Sequence, residues 1–285
     1  MAITYSPNVW VGKHFENIFS EVLYANSTVD KSLVRFIPNV KYETQITTLG
    51  GAPVVQDYQV TPNAPQGSVT FSDATLRPAK KMVHDRFEMN QMLNTMFSED
   101  MAAGAANIDS QKYLKAVEAY ITPRIGKAVE KSFWALIHDQ LVASTSNIDR
   151  AGAVLTAGNI LDEIKGVYAA LPGEVLTTGE QMMYLPEAAK QLVLIANADR
   201  TYRDLLTVSG EDIKYLDCPI SFVPTPANTI IAGRKSDFVW GTDLLDDYGK
   251  LEVNKVTNES DLMFYKMVFS LAAAICVPTQ KVLSA

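Results

Sequence analysis

The stretch Asp109–Val142, DSQKYLKAVEAYITPRIGKAVEKSFWALIHDQLV, decides how the rest of the chain must be arranged. Its apolar residues are Tyr113, Val117, Tyr120, Ile121, Ile125, Ala128, Val129, Phe133, Leu136, Ile137 and Leu141. Steps of three and four place them along one side of an α-helix. Lys115, Glu118, Thr122, Lys127, Glu130 and Lys131 fall mostly on the other side. Asp109 or Ser110 is placed to act as the N-cap. Pro123 removes one backbone donor and should kink the helix. The stripe nevertheless stays in phase from Ile121 to Ile125, so one long bent helix is predicted rather than two. At ~1.5 Å per residue it reaches roughly 48 Å, longer than a small domain needs, and it therefore reads as a strut. Trp134 lies on its polar side, opposite Ile125. There it is either a lone exposed aromatic or one covered by another subunit.

Around the strut the chain has ordinary globular composition: 285 residues, 47% hydrophobic and 20% charged, enough for one large or two medium domains. A net charge of −7 excludes a chain that is basic overall and built to bind nucleic acid. Cys218 and Cys276 sit in apolar surroundings and read as small buried hydrophobes from a reducing compartment; two cysteines make only a weak case for a disulfide. The N-terminus carries no signal pattern, and the longest apolar run, Leu271–Val277, is too short to span a bilayer.

Residues 1–40 begin as an extended arm, within which His14–Tyr24 has the helical spacing Phe15, Ile18, Phe19, Val22, Leu23. That helix either folds back on the core or docks on a neighbour. From residue 33 to 87 the pattern turns to β: Val34–Phe36, Val40–Ile46, Val54–Val60, Ser68–Phe71 and Arg77–Phe87, punctuated by Gly50-Gly51, Pro53, Pro62, Asn63, Pro65 and Gly67. This predicts a long hairpin with its tip near residues 61–67. Its flanks are polar, and a two-stranded ribbon with few large apolar residues cannot hold itself up in water. It needs a partner surface. Residues 88–110 add a Met-rich helical piece and a small-residue linker.

After a loop at 143–155, a helix is expected over Thr156–Leu171 and a short buried strand at Met182–Leu185. Pro186-Glu187 is expected to open a further helix. Strands are expected at Tyr215–Val223, Thr229–Ala232, Asp237–Gly241, Lys250–Val256 and Met263–Ile275. Without strict βαβ alternation the fold class is α+β.

Catalytic chemistry has no visible constellation. His14, His84 and His138 lie in no metal-binding spacing, and no phosphate-loop, dinucleotide or nucleophile-elbow motif occurs. Asp243, Asp246 and Asp247 read as an acidic turn, and Glu130 and Asp139 are too far apart on one helix for a glycosidase pair. No cofactor, no metal and no enzymatic activity are expected. A dispersed active site in a soluble α+β enzyme is the rival of another class.

Several segments, taken in order, resemble the major capsid protein of tailed bacteriophages, the HK97-like fold. RPAKKMVHDRFEMNQML is similar to the family's strand leading into a short helix, and DSQKYLKAVEAYITPRIGKAVEKSFWALI to its spine helix. MMYLPEAAKQLVLI, GEDIKYLDCPISFVP and TIIAGRKSDFVWG resemble segments of its axial domain, and DLMFYKMVFSLAAAICVPTQKVLSA its closing peripheral strand. The resemblance implies an N-terminal arm (1–40), an extended loop over a neighbouring subunit (41–76), a peripheral domain (77–149 and 256–285, with the spine at 109–142) and an axial domain (150–255). It implies pentamers and hexamers closing into an icosahedral shell around double-stranded DNA, a virion component assembled in the host cytoplasm, with no membrane partner. An encapsulin-type compartment shares the fold and is the nearest alternative.

On that reading Tyr58, Pro62, Asn63, Pro65, Trp134, Phe15 and Phe19 are expected at subunit interfaces. Lys112, Lys115, Arg124, Lys127 and Lys131, set against Glu118, Glu130 and Asp139, are expected either to face packaged phosphates non-specifically or to form a solvated helix face. The arm begins near the initiator Met, so a separate scaffolding protein, or none, is expected; portal and cement proteins are the other partners the resemblance allows. Some relatives join subunits through a lysine near the loop tip and an asparagine. Here the loop has only Lys41, at its base, and none near Asn63, so no covalent crosslink is expected.

Overall fold

The apolar stripe of the strut is realised as a single 33-residue helix, α3 (Gln111–Ala143), with Pro123 inside it. The computed structural model describes residues 9–11, 13–52, 54–58, 66–88, 111–198, 206–209, 212–243, 250–256 and 262–285. The proposed N-cap residues, and the Met-rich piece and linker beyond Glu88, lie outside them. Ile121, Ile125, Val129, Phe133, Ile137 and Leu141 are all buried, as the spacing requires. They pack on β14 (Leu262–Ile275), the long central strand of a six-stranded sheet. Gln140 Nε2 donates to the Ala273 carbonyl at 2.7 Å, and the Phe133 and Trp240 rings stack at 4.3 Å.

That sheet runs β1 (Val9–Val11), β13 (Lys250–Lys255), β14, β12 (Phe238–Gly241), β2 (Arg35–Ile37), with β5 (Ala79–Glu88) also paired to β14. A seven-stranded sheet follows the order β6 (Ile148–Arg150), β15 (Val282–Ser284), β11 (Ile230–Arg234), β7 (Gln181–Pro186), β10 (Cys218–Val223), β9 (Asp212–Tyr215), β8 (Leu206–Ser209). One of its faces forms a second core with α4 (Ile160–Ala170), the single turn α5 (Gly173–Leu176) and α6 (Ala189–Ala198). The α+β class holds.

Local expectations fail where a turn or a distant partner intervenes. Tyr215–Val223 is two strands, because Leu216 takes a left-handed φ of 54° and reverses the chain between Tyr215 and Cys218. Pro186 ends β7, and the helix starts only at Ala189. The loop at 143–155 contains β6, paired parallel to β15. Val54–Tyr58 is no strand, and Val40 lies in a connection whose N–H donates to the Thr242 carbonyl. The expected boundary at residue 256 follows neither sheet. β12 and β13 pair with β14, while β15 crosses to the seven-stranded sheet and pairs with β11.

Both crossings meet at one buried ion pair, between Lys281 Nζ and Asp237 at 2.5 Å. Burial pulls the Lys281 ammonium below its usual range, while the Asp237 charge opposes that shift. Gly233 makes room for the lysine, since a Cβ there would lie 2.4 Å from Lys281 Cδ.

The described part of the arm is not loose. β1 pairs with β13, and α1 (Lys13–Tyr24) lies across α3. Gly126 permits the close approach: a Cβ there would stand 3.0 Å from the Val22 carbonyl. Among the described residues no helix is long and apolar enough to cross a membrane.

Candidate assembly surface

The predicted hairpin is a ribbon of β3 (Thr44–Ala52) and β4 (Ser68–Leu76), the two strands paired from Thr44–Leu76 to Ala52–Ser68 and, among the described residues, with no other strand. It is shorter than the β-rich region suggests, because β2 and β5 belong to the six-stranded sheet. Its base is anchored: Ile46 and Leu76 are buried in a small cluster with Val40, Val239, Ala272, Ala274 and Cys276. Its far half is not. Leu49 is 71% exposed, Val69 69% and Phe71 73%. Beyond β3, Val55 and Tyr58 are almost wholly in solvent. Tyr58 is thus available to a partner; Pro62, Asn63 and Pro65 lie outside the described residues.

Trp134 and Phe19 are corrections to the expected interface. Both are buried by their own chain. Phe19 rests on Phe269 with ring centroids 5.5 Å apart. Trp134 packs on Tyr184 at 4.6 Å, and its Nε1–H donates to Thr28 Oγ1 at 2.9 Å. Glu130 also turns inward. Its Oε1 accepts from Ser27 Oγ at 2.8 Å, Thr28 N at 2.8 Å and Thr28 Oγ1 at 2.5 Å. Thr28 belongs to α2 (Ser27–Asp30), the turn following α1, and Tyr184 O–H reaches past it to the Leu33 carbonyl at 2.6 Å. These contacts clamp the arm between the strut and the seven-stranded sheet, and burial pushes the Tyr184 phenol well above its usual range. The helical period misses this second buried face because its residues are polar or amphipathic and are satisfied about 100 positions away. Phe15 lies in α1, with its side chain outside the described residues.

With Glu130 inside, the outer side of α3 is more basic than the sequence suggests. Tyr120, Arg124, Lys127 and Lys131 are exposed at helical spacing, with the Arg124 guanidinium 3.9 Å over the Tyr120 ring. Lys112 and Lys115 lie on the same helix, their side chains outside the described residues. On the seven-stranded sheet's outer helix, α6, Leu194 and Ile195 are exposed apolar residues.

Two of the three histidines have their side chains within the described residues. His138 bonds its neighbour Asp139, and His84 meets the Phe264 ring edge-on. Asp243 is buried; among the described residues no three His, Cys, Asp or Glu side chains are grouped to hold a metal, and Asp246 and Asp247 lie outside them. Cys218 and Cys276 are buried free thiols, and burial pushes Cys218 to about 12, which keeps it unreactive.

Strut, paired sheets and anchored ribbon make up the HK97-like capsid fold. A chain of the satellite phage P4 procapsid including size determination (Sid) protein superposes with a TM-score of 0.64 at 9% identity, covering 100% of this chain and 92% of that one. A chain of Mycobacterium phage Ogopogo gives 0.56 at 14% identity, covering 89% and 90%. One from the capsid of an empty GTA particle gives 0.54 at 10%, covering 92% and 90%. No family model and no curated protein sequence matches the chain. The likeness resides in the fold.

Proposed function

We propose that the chain is the major capsid protein of a tailed bacteriophage, assembling with copies of itself as pentamers and hexamers into an icosahedral shell around double-stranded DNA. The observation that carries the reading is the ribbon Thr44–Leu76, anchored at its base and bare over its far half. A two-stranded sheet of this kind is marginal in water, and a neighbouring copy supplies the missing surface. The capsid fold supports the same reading. In this scheme the ribbon is the extended loop and residues 1–40 are the arm. The six-stranded sheet with α3 forms the peripheral domain, and the seven-stranded sheet with its helices the axial domain. Each contact is modest, and many per subunit hold the lattice by multivalency.

Packaged DNA meets the shell through non-specific phosphate contacts at Arg124, Lys127 and Lys131, with Lys112 and Lys115 extending the row. The protein's work is association; no reaction is assigned to it. Electron microscopy of the purified full-length chain tests the proposal. Closed, uniform shells are expected, and shells recovered from an infected host should hold nuclease-protected DNA. A chain that remains a monomer at every concentration would overturn it, and shells filled with protein instead of DNA would make it a compartment shell.

A further inference from the structure

The ribbon has two faces, and its apolar residues change from one to the other halfway along. Side chains alternate along a strand, and directly paired residues share a face. Register places Gln45 opposite Thr75, Thr47 opposite Asp73, Leu49 opposite Phe71 and Gly51 opposite Val69 on one face. Ile46 opposite Ala74, Thr48 opposite Ser72 and Gly50 opposite Thr70 lie on the other, which also carries Leu76.

Near the base it is the second face that is apolar, and Ile46, Ala74 and Leu76 use it to pack on the protein's own core. Further out that face becomes polar, with Thr48 Oγ1 donating to the Ser72 carbonyl at 3.0 Å. The first face does the reverse. It is polar at Gln45, Thr47, Asp73 and Thr75, then apolar at Leu49, Phe71 and Val69. Leu49 and Val69 border an open depression of about 600 Å³ that Val54 also lines. Gly51 keeps the rung beside Val69 low, since a Cβ there would strike the Ser68 carbonyl at 2.3 Å.

We infer that Leu49, Val69 and Phe71 are the anchor by which the ribbon binds a second copy of this chain, and that it does so through the face its own body does not use. The inference rests on the shell reading above. It identifies the contact face and the anchoring side chains. In a shell, the partner that every ribbon meets is another copy. Three side chains also fall well short of the ~800 Å² per partner that a stable pairwise interface buries. A lone binder would be held poorly by them, whereas a lattice adds this contact to others on the same subunit.

Substitutions on the two faces of the full-length chain test it. Leu49→Asp and Phe71→Asp should raise the concentration needed for particle formation at least tenfold, while Thr48→Asp and Ser72→Asp leave it within twofold. Folding of each variant is checked by circular dichroism. A reporter that needs no disruptive change uses Phe71→Cys and Ser72→Cys, each carrying a polarity-sensitive dye; Cys218 and Cys276 are buried and do not compete. On assembly the dye at position 71 should shift to the blue and that at 72 should not. Loss of assembly with the Thr48 and Ser72 variants, equal loss with all four, or a blue shift at 72 alone would overturn the face assignment while leaving the shell reading standing. A wild-type chain that never forms particles would remove both.

Discussion

Truncating Glu130 should release the arm. In Glu130→Ala the Thr28 N–H and the Ser27 and Thr28 hydroxyls lose their common acceptor, two of those three donors being buried. A hydrogen bond to a charged group contributes about 1.5–3 kcal/mol net, and a buried donor left without a partner costs about 1–3 kcal/mol. The three bonds share one oxygen and do not add, so the expected loss is about 3–5 kcal/mol. Glu130→Gln keeps a carbonyl oxygen in place and should cost only about 1–2 kcal/mol, the difference between charged and neutral bonds. Urea denaturation of the unassembled chain, followed by tryptophan fluorescence, reads both; Trp134 lies on the network through Thr28 and reports its loss directly. Limited proteolysis adds a local reading, because a freed α1 exposes Ile18, Phe19, Val22 and Leu23, all buried in the wild type. A loss below about 1 kcal/mol for the alanine variant, with no new cleavage in the arm, would refute the clamp.

Three further outcomes are expected. Tyr184→Phe should cost about 1 kcal/mol at neutral pH through the lost bond to the Leu33 carbonyl; because burial raises the phenol's folded pKa, wild-type stability is whole below about pH 10 and falls as pH rises above it. Thermal melts against pH should therefore show the gap between the two proteins closing in alkali. Lys281→Ala leaves Asp237 as an uncompensated charge at the crossing between the sheets and should cost about 3–5 kcal/mol, whereas Lys281→Met with Asp237→Leu should recover most of the loss, both read by chemical denaturation. Heat-denatured particles should run as a single band near 31.3 kDa on a denaturing gel, since the ribbon carries no lysine between Lys41 and its tip; a ladder would show covalent joining.

Most of the strut was legible because Ile121, Ile125, Val129, Phe133, Ile137 and Leu141 repeat at the helical period over six turns. The same holds for α4 and for the buried strands β7, β11, β12 and β14, each marked by local runs of apolar residues. The ribbon's existence was legible from its alternation and its turn residues. Its register was not, because 15 residues separate β3 from β4 and no tight turn sets the pairing. Leu49, Val69 and Phe71 consequently form no set in the sequence, because only the pairing register puts them on one face. The interface expectation for Trp134 failed for a related reason: an aromatic on a polar helix face reads as exposed until the arm that covers it is in place.

By itself, then, the sequence determined which segments are helical or extended and which sides of them shun water, since those preferences act between residues one to four positions apart. The tertiary structure alone decided that Glu130 and Trp134 face inward, that β15 and β12 exchange sheets around Lys281 and Asp237, and which face of the ribbon is left bare. Apolar burial needs only exclusion from water and so leaves a local period. Burial of a charge or an indole N–H needs one particular partner at one particular distance, and the chain brings that partner from far away only when it folds.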